Sequence, residues 1–135
     1  MCNILGLLVF AINNKFTILP PINNVYVNKL SIPLIGNQLV EYQRIKDLKA
    51  QVKLVGKVNC VGFIYYDKFD QFNYTIDDTL CNILNKYRCS LTDPCYDIEN
   101  DILYIVLKIK LINFKKQIVM KNINTIKNTN SIINY

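Results

Sequence analysis

The fold class follows from residues 51–64, which read QVKLVGKVNCVGFI. Apolar or small residues occupy every second position, while the polar residues Lys53, Lys57 and Asn59 fall between them. This alternation is typical of a β-strand with one buried and one exposed face. We therefore predict one strand of about fifteen residues, bent at Gly56 and Gly62, where the absence of a side chain permits a bulge or sharp coiling.

Further strand signals follow along the chain, separated by turn residues. After a turn at residues 67–70, the predicted strands cover residues 71–77, 80–84, 102–112 and 117–126. Residues 85–101 predict a loop and a short helix that begins at Pro94 and is capped by Thr92 or Asp93. Three strands, an insertion and two more strands are the order of an OB-fold barrel. We thus predict an all-β, five-stranded OB-fold barrel with a short helix between strands 3 and 4.

The residues before this pattern are predicted to lie outside the barrel. Residues 16–40 read as an extended segment broken by prolines, and residues 41–50 as a polar stretch that forms a turn of helix. The predicted organisation is a single domain with an N-terminal extended arm at 1–45, the barrel at 46–130 and a tail at 131–135.

Composition excludes several classes of protein. The chain has 135 residues, a formal net charge of +6 and 51% hydrophobic residues, which suits one folded domain rather than a disordered tail. No apolar run approaches the roughly 20 residues of a membrane-spanning helix, so we expect no membrane partner. Because the chain contains no histidine, a Ser-His or Cys-His relay, a His-ligated zinc and a histidine general base are excluded.

The positive charge is concentrated at the end of the chain. Residues 102–135 contain six lysines and no acidic residue, namely Lys108, Lys110, Lys115, Lys116, Lys121 and Lys127. Abundant Ile, Asn and Lys also suggest an A/T-rich coding sequence, which reduces the weight of the total charge. Its distribution is more informative, because the whole net charge lies in the last quarter of the chain.

The five cysteines lack the paired spacing of a zinc site. We expect small buried thiols in a reducing compartment. The apolar run at residues 4–12 predicts a buried strand or ordered arm, and a secretory leader is the alternative.

Two short motifs carry a resemblance to a known family. Residues 52–58 have the form V-x-x-V-G-x-V, and residues 74–78 read YTIDD. The pair resembles the first hairpin of the OB-fold group that contains the Stn subunit of the CST telomere-capping complex and the middle subunit of replication protein A. The sequence departs from that group at Thr79-Leu80-Cys81, where a Gly-Thr-Gly-type turn is usual, and at Lys108-Ile109-Lys110, where a glycine is usual.

The resemblance implies a function without catalysis. It implies a subunit of a complex that binds single-stranded DNA, possibly telomeric, in the nucleus and on chromosomes during DNA replication. Such a subunit bridges a larger and a small OB-fold subunit and contacts DNA weakly itself. The implied partner-binding residues are Ile132, Ile133 and Tyr135, and no cofactor or metal is expected.

Candidate DNA-binding residues follow from how barrels bind single strands, by stacking bases on aromatic rings beside a basic groove. The stacking candidates are Tyr65, Tyr66, Phe69 and Tyr104. The phosphate-binding candidates are Lys57, Lys108, Lys110, Lys115 and Lys116. Ordinary packing of tyrosine on a strand and lysines that protect a sheet edge are the alternatives for these residues.

Two other functions stay open. One is a small all-β protein-interaction module, a secreted or viral adaptor without nucleic-acid binding. The other is a metal-dependent enzyme that uses Asp77, Asp78 or the cysteine cluster, although neighbouring strand residues such as the two aspartates point to opposite faces and do not readily share an ion.

Overall fold

The computed structural model describes residues 16–17, 19–69, 73–77, 86 and 88–129. This part of the chain is dominated by β-strands, a 3₁₀ turn at Lys110–Ile112 and a helix, α1, at Ile123–Thr129. The strands are β1 (Phe16–Thr17), β2 (Val25–Ile32), β3 (Gly36–Lys46), β4 (Lys49–Gly56), β5 (Cys60–Tyr66), β6 (Tyr74–Asp77), β7 (Cys89–Asp97), β8 (Ile102–Ile109) and β9 (Phe114–Asn122). Within the described residues, no helix is long and apolar enough to cross a membrane.

The strands form one antiparallel sheet in the order β1-β7-β8-β9-β2-β3-β4-β5-β6. Strand β9 returns to β2 through the register pairs Tyr26–Asn122 and Val27–Lys121. At the other end of the order, the Tyr74 hydroxyl of β6 reaches Asp93 of β7, accepting from its backbone N–H at 2.7 Å and donating to its carboxylate at 3.2 Å. Strands β2–β9 therefore form a nearly closed eight-stranded barrel, and the two-residue β1 is added along β7.

The interior is filled by the inward positions of every long strand. In β4, Ala50, Val52 and Leu54 are buried, and the alternate residues of β8 and β9 behave in the same way. The largest fully buried side chains include Tyr26, Tyr42, Ile64, Leu103, Ile105 and Met120. An eight-stranded barrel has an interior just wide enough for side chains to fill, so this period-two pattern supplies a packed core.

The prediction of an all-β barrel is confirmed, but the five-strand count is wrong. Residues 51–64 form two strands, β4 and β5, rather than one bent strand. Gly56 has φ +151°, and a Cβ at this position would lie 2.6 Å from the Asn37 carbonyl oxygen. Gly56 therefore allows β4 to end in a turn that passes close to the backbone of β3. The sequence predicted only a bend at this position.

Gln38 holds this turn from the neighbouring strand. Its side chain is buried, donates to the Val58 carbonyl at 2.5 Å and accepts from the Val58 N–H at 3.0 Å. The side-chain amide of Gln38 thus replaces the backbone hydrogen-bond partner that Val58 would have within a strand. This contact joins positions 20 residues apart, which is why the local pattern did not reveal the turn.

The predicted N-terminal arm and lead-in helix are also corrected. From Val25 onward these residues form the hairpin β2–β3, and residues 41–50 belong to β3, a turn and β4. The boundary proposed at residue 45 thus falls inside β3. Alternation across Tyr26, Leu30, Val40 and Tyr42 buries one face of this hairpin in the barrel. That burial outweighs the two prolines before the hairpin and the one in its turn.

The helix expected at Pro94 is absent from β7, which runs from Cys89 to Asp97 with a bulge between Thr92 and Cys95. Asp93 has φ 53° and is held by Tyr74, so the Asp-Pro pair forms a bulge in place of a helix start. The last predicted strand, residues 117–126, corresponds to β9, which ends at Asn122, and α1 begins at Ile123. The predicted third strand, residues 80–84, lies outside the described residues.

The eight strands follow one another around the barrel, which differs from the Greek-key order of an OB-fold.

Asp101 joins several strands at one end of the barrel. Its carboxylate accepts from the Tyr26 and Tyr96 hydroxyls at 2.6 Å each and from the Asn122 side-chain amide at 3.1 Å. These donors come from β2, β7 and β9, while Asp101 ends the turn between β7 and β8. Asp97 organises the same turn by accepting from the backbone N–H groups of Glu99 and Asn100.

We predict that Tyr26→Phe lowers the free energy of unfolding by about 1.5–3 kcal/mol, the cost of losing a hydrogen bond to a charged group. Tyr26 is fully buried, so water does not replace the lost donor. Tyr65→Phe is the matched control, because its ring is on the outer surface and the change should stay within about 0.5 kcal/mol. Urea unfolding of both variants checks this, and equal stabilities would contradict it.

We also predict that the barrel loses stability in alkali. Burial, followed by hydrogen bonding to Asp101, raises the pKa of Tyr26 well above its usual value and the pKa of Tyr96 to about 12. Burial also raises the pKa of Tyr42 and of Tyr66, whose hydroxyls lie 2.7 Å apart. A raised folded-state pKa favours the neutral phenol, so this stability is complete below about pH 10 and is lost as the pH rises towards 12 and beyond.

The measurement is the urea midpoint at about pH 8, 10 and 11. We expect a fall above pH 10 that is shallower in Tyr42→Phe, which lacks one of the ionising phenols. A midpoint that stays constant over this range would contradict the prediction.

Candidate nucleic-acid interface

The barrel divides the predicted DNA-binding residues among three places. Tyr104, Lys108, Lys110, Lys115 and Lys116 lie together on the β8–β9 hairpin. The β4–β5 hairpin and the loop after it carry Lys57, Tyr65 and Phe69. Tyr66 belongs to the interior. Since two strands separate β9 from β4 on one way around the barrel, the first two groups do not form one surface.

The outer face of the β8–β9 hairpin is positioned by the antiparallel register. Lys108 is opposite Lys115, Val106 opposite Gln117, Tyr104 opposite Val119, and Ile102 opposite Lys121. We call these four pairs the outer rungs, counted from the β8–β9 turn. Their side chains point away from the core because Leu103, Ile105, Leu107, Ile118 and Met120 occupy the alternate, buried positions.

The hairpin carries five lysines and no carboxylate of its own, while Asp97 of the neighbouring β7 lies opposite Ile102 at the fourth rung. Lys110, Lys115, Lys116 and Lys121 are exposed, and Lys108 is half-buried. Within the described part of the chain, none of these lysines forms an ion pair with a carboxylate. Since residues 102–135 contain no acidic residue, the hairpin presents unneutralised positive charge that attracts anions.

An aromatic ring lies among these charges. Tyr104 is half-buried on the third rung, beside Val119, whose side chain is 39% exposed. On the same outer side, Val106 and Cys95 are buried, so the accessible part of this face is narrow and lies along β9. Tyr104 is therefore the member of the predicted stacking set that shares the outer face with Lys108, Lys115 and Lys121. Lys116, in contrast, lies opposite the buried Leu107 in the inward phase.

Sequence reasoning missed two basic residues here. Lys121 occupies the fourth rung and is in phase with Lys115 at a period of two, a signal that extension of the strand pattern would have found. Arg88 is exposed just before β7, and its carbonyl accepts from the Lys110 N–H at 3.4 Å. That contact between distant segments had no local signal.

Tyr65 of the second group belongs to a separate aromatic surface on β5. The Lys49 ammonium lies 4.5 Å from the centroid of the Phe63 ring and 5.3 Å from that of Tyr65. Tyr65 is 41% exposed, and Phe69 is 92% exposed in the following loop. Lys49 and Phe63 were not predicted, although Phe63 and Tyr65 are two residues apart and thus share the outer face. On this surface the Lys49 ammonium already lies over the rings of Phe63 and Tyr65 in a cation–π contact.

Two predicted residues fall elsewhere. Tyr66 is 5% exposed, and its hydroxyl lies 2.7 Å from that of Tyr42 inside the barrel, so it offers no face to a base and leaves the candidate set. Lys57 lies in the β4–β5 turn, with its Cδ against Gly36. The antiparallel register places that turn at the same end of the barrel as the β8–β9 turn, but on a different hairpin. Ile132, Ile133, Tyr135 and Asp78 lie outside the described residues.

The cysteines differ from the expectation of thiols alone. Cys60 and Cys89 are buried thiols, whereas Cys95 is disulfide-bonded. The described residues contain no group of three or more His, Cys, Asp or Glu side chains that could hold a metal ion.

Comparisons with protein-family models, with curated proteins and with solved structures find no match to the chain.

Proposed function

We propose that this chain is a non-enzymatic binding protein that holds single-stranded nucleic acid on the outer face of the β8–β9 hairpin. The observation that carries the proposal is that three lysines without a carboxylate partner among the described residues, Lys108, Lys115 and Lys121, share the outer face of one hairpin with Tyr104. Lysine contributes the salt-dependent part of binding to phosphates, and an accessible ring contributes stacking on an unpaired base. Because a duplex keeps its bases stacked inside, the contribution of Tyr104 favours single strands.

The resemblance at residues 52–58 and 74–78 extends this proposal to a biological setting. It supports a subunit of a CST-like or replication-protein-A-like complex on nuclear, possibly telomeric DNA, which bridges a larger and a small OB-fold subunit. A surface with lysines but a single neighbouring arginine, Arg88, suits weak direct contact, since lysine lacks the bidentate phosphate contacts of arginine. The partner subunits would then supply much of the affinity.

We predict that fluorescence anisotropy detects binding to a dT oligonucleotide in preference to a duplex, with affinity that falls as salt increases. Tyr104→Leu, which keeps an apolar side chain but removes the ring, should weaken binding about 5- to 150-fold, the range for one stacked base. The Lys108→Ala, Lys115→Ala double variant removes the pair of lysines on opposite strands and should also reduce the slope of log affinity against log salt by about 0.7, the value for one phosphate contact.

The matched controls are Tyr65→Leu and Lys53→Ala, whose side chains lie on the outer face of β5 and β4. These variants should bind as the unaltered chain does. Equal losses in the control and test variants would contradict the assignment of the interface to β8–β9. Failure of the unaltered chain to bind, alone or with a co-expressed small OB-fold subunit, would contradict the function.

The disulfide at Cys95 favours a second candidate function, a secreted all-β protein-interaction module. Disulfides persist mainly in oxidising compartments, and the apolar residues 4–12 then act as a secretory leader. Mass spectrometry of the mature protein separates the two candidates. A Cys95 protected from alkylation until reduction, together with loss of about the first 12–20 residues, would support secretion, whereas an intact N-terminus and an alkylated Cys95 would oppose it.

A further inference from the structure

We infer that an extended single strand runs along β8–β9 with two phosphates held three nucleotides apart, one at Lys108–Lys115 and the other at Lys121. This inference rests on the proposed function and adds the path of the strand, its spacing and a contact residue. The first of these contact points is on the first rung, the second on the fourth, and Tyr104 lies between them on the third.

The distances along the hairpin set this spacing. Outward side chains on one strand repeat every second residue, about 6.6 Å at a rise of about 3.3 Å per residue. Three steps therefore separate the first and fourth rungs by about 20 Å. An unstacked single strand has a phosphate roughly every 6–7 Å, about twice the 3.4 Å of one strand of a stacked duplex. One rung thus corresponds to about one nucleotide.

The composition of the rungs agrees with such a path. The first rung carries two cations, the second carries Gln117 beside a buried valine, the third carries the ring with Val119, and the fourth carries Lys121. A single strand can turn one base onto Tyr104 while its phosphates on both sides reach lysine. A duplex cannot expose a base at the third rung without breaking a pair.

Oligonucleotide length tests this register, meaning the proposed spacing of the two bound phosphates. A dT4 strand without a terminal phosphate has three phosphates and spans two intervals, so it cannot reach both lysine positions, whereas dT8 can. We expect Lys121→Ala to weaken dT8 binding about 2- to 5-fold, the range of an exposed ion pair, and to leave dT4 binding unchanged. Lys115→Ala should weaken both, because either oligonucleotide can place a phosphate at the first rung.

The salt dependence provides a second measurement on the same variants. With dT8, Lys121→Ala should reduce the slope of log affinity against log salt by about 0.7, the value for one single-strand phosphate contact. Lys53→Ala, an exposed lysine on the opposite part of the barrel, is the control and should leave the slope unchanged. Thermal unfolding of both variants checks that each is folded, and Lys121→Gln replaces Lys121→Ala if the alanine lowers Tm.

The outcomes separate the two proposals. If dT8 binds but Lys121 variants behave like Lys53→Ala, or if Lys121→Ala weakens dT4 and dT8 equally, the register is wrong and the proposed function stands. If the unaltered chain binds neither oligonucleotide at low salt, both proposals fail. A length-dependent loss confined to dT8 supports the register.

Discussion

The carboxylate of Asp101 holds together the end of the barrel on which closure depends. Its three donors come from β2, β7 and β9, which are far apart in the chain. Strand β9 meets β2 in only two register pairs, and both lie beside these donors. With hydroxyl partners at 2.6 Å the carboxylate is well compensated, as a partly buried charge requires. The junction between β9 and β2 therefore combines two register pairs with the hydrogen bonds to the Asp101 carboxylate.

Closure also explains why the candidate site is on the outside. Eight strands leave an interior that side chains fill, and tyrosines occupy much of it, including the Tyr42–Tyr66 pair. The period of two then forces polar residues of the same strands outward. On β8–β9 the outward residues are three lysines, a glutamine and Tyr104 beside Ile102, Val106 and Val119, so core packing on one face positions the charge on the other.

The two outer surfaces differ in what their cations do. On β5, Lys49 lies over the rings of Phe63 and Tyr65, which lowers its availability to an anion. On β8–β9 the lysines stand in register with one another and with an aromatic ring, separated by the regular rise of a strand. A repeating anion of similar spacing fits the second surface better than the first.

The sequence alone determined the β class, the alternating core positions and the concentration of lysine near the C-terminus, because the period of two and the charge of a segment are local properties. Only the tertiary structure decided the number of strands, since the turn after Gly56 depends on Gln38 and the Asp93 bulge depends on Tyr74. It also placed Tyr66 inside and separated Tyr65 from Tyr104. Alternation distinguishes two faces of a strand, but barrel closure decides which faces are neighbours.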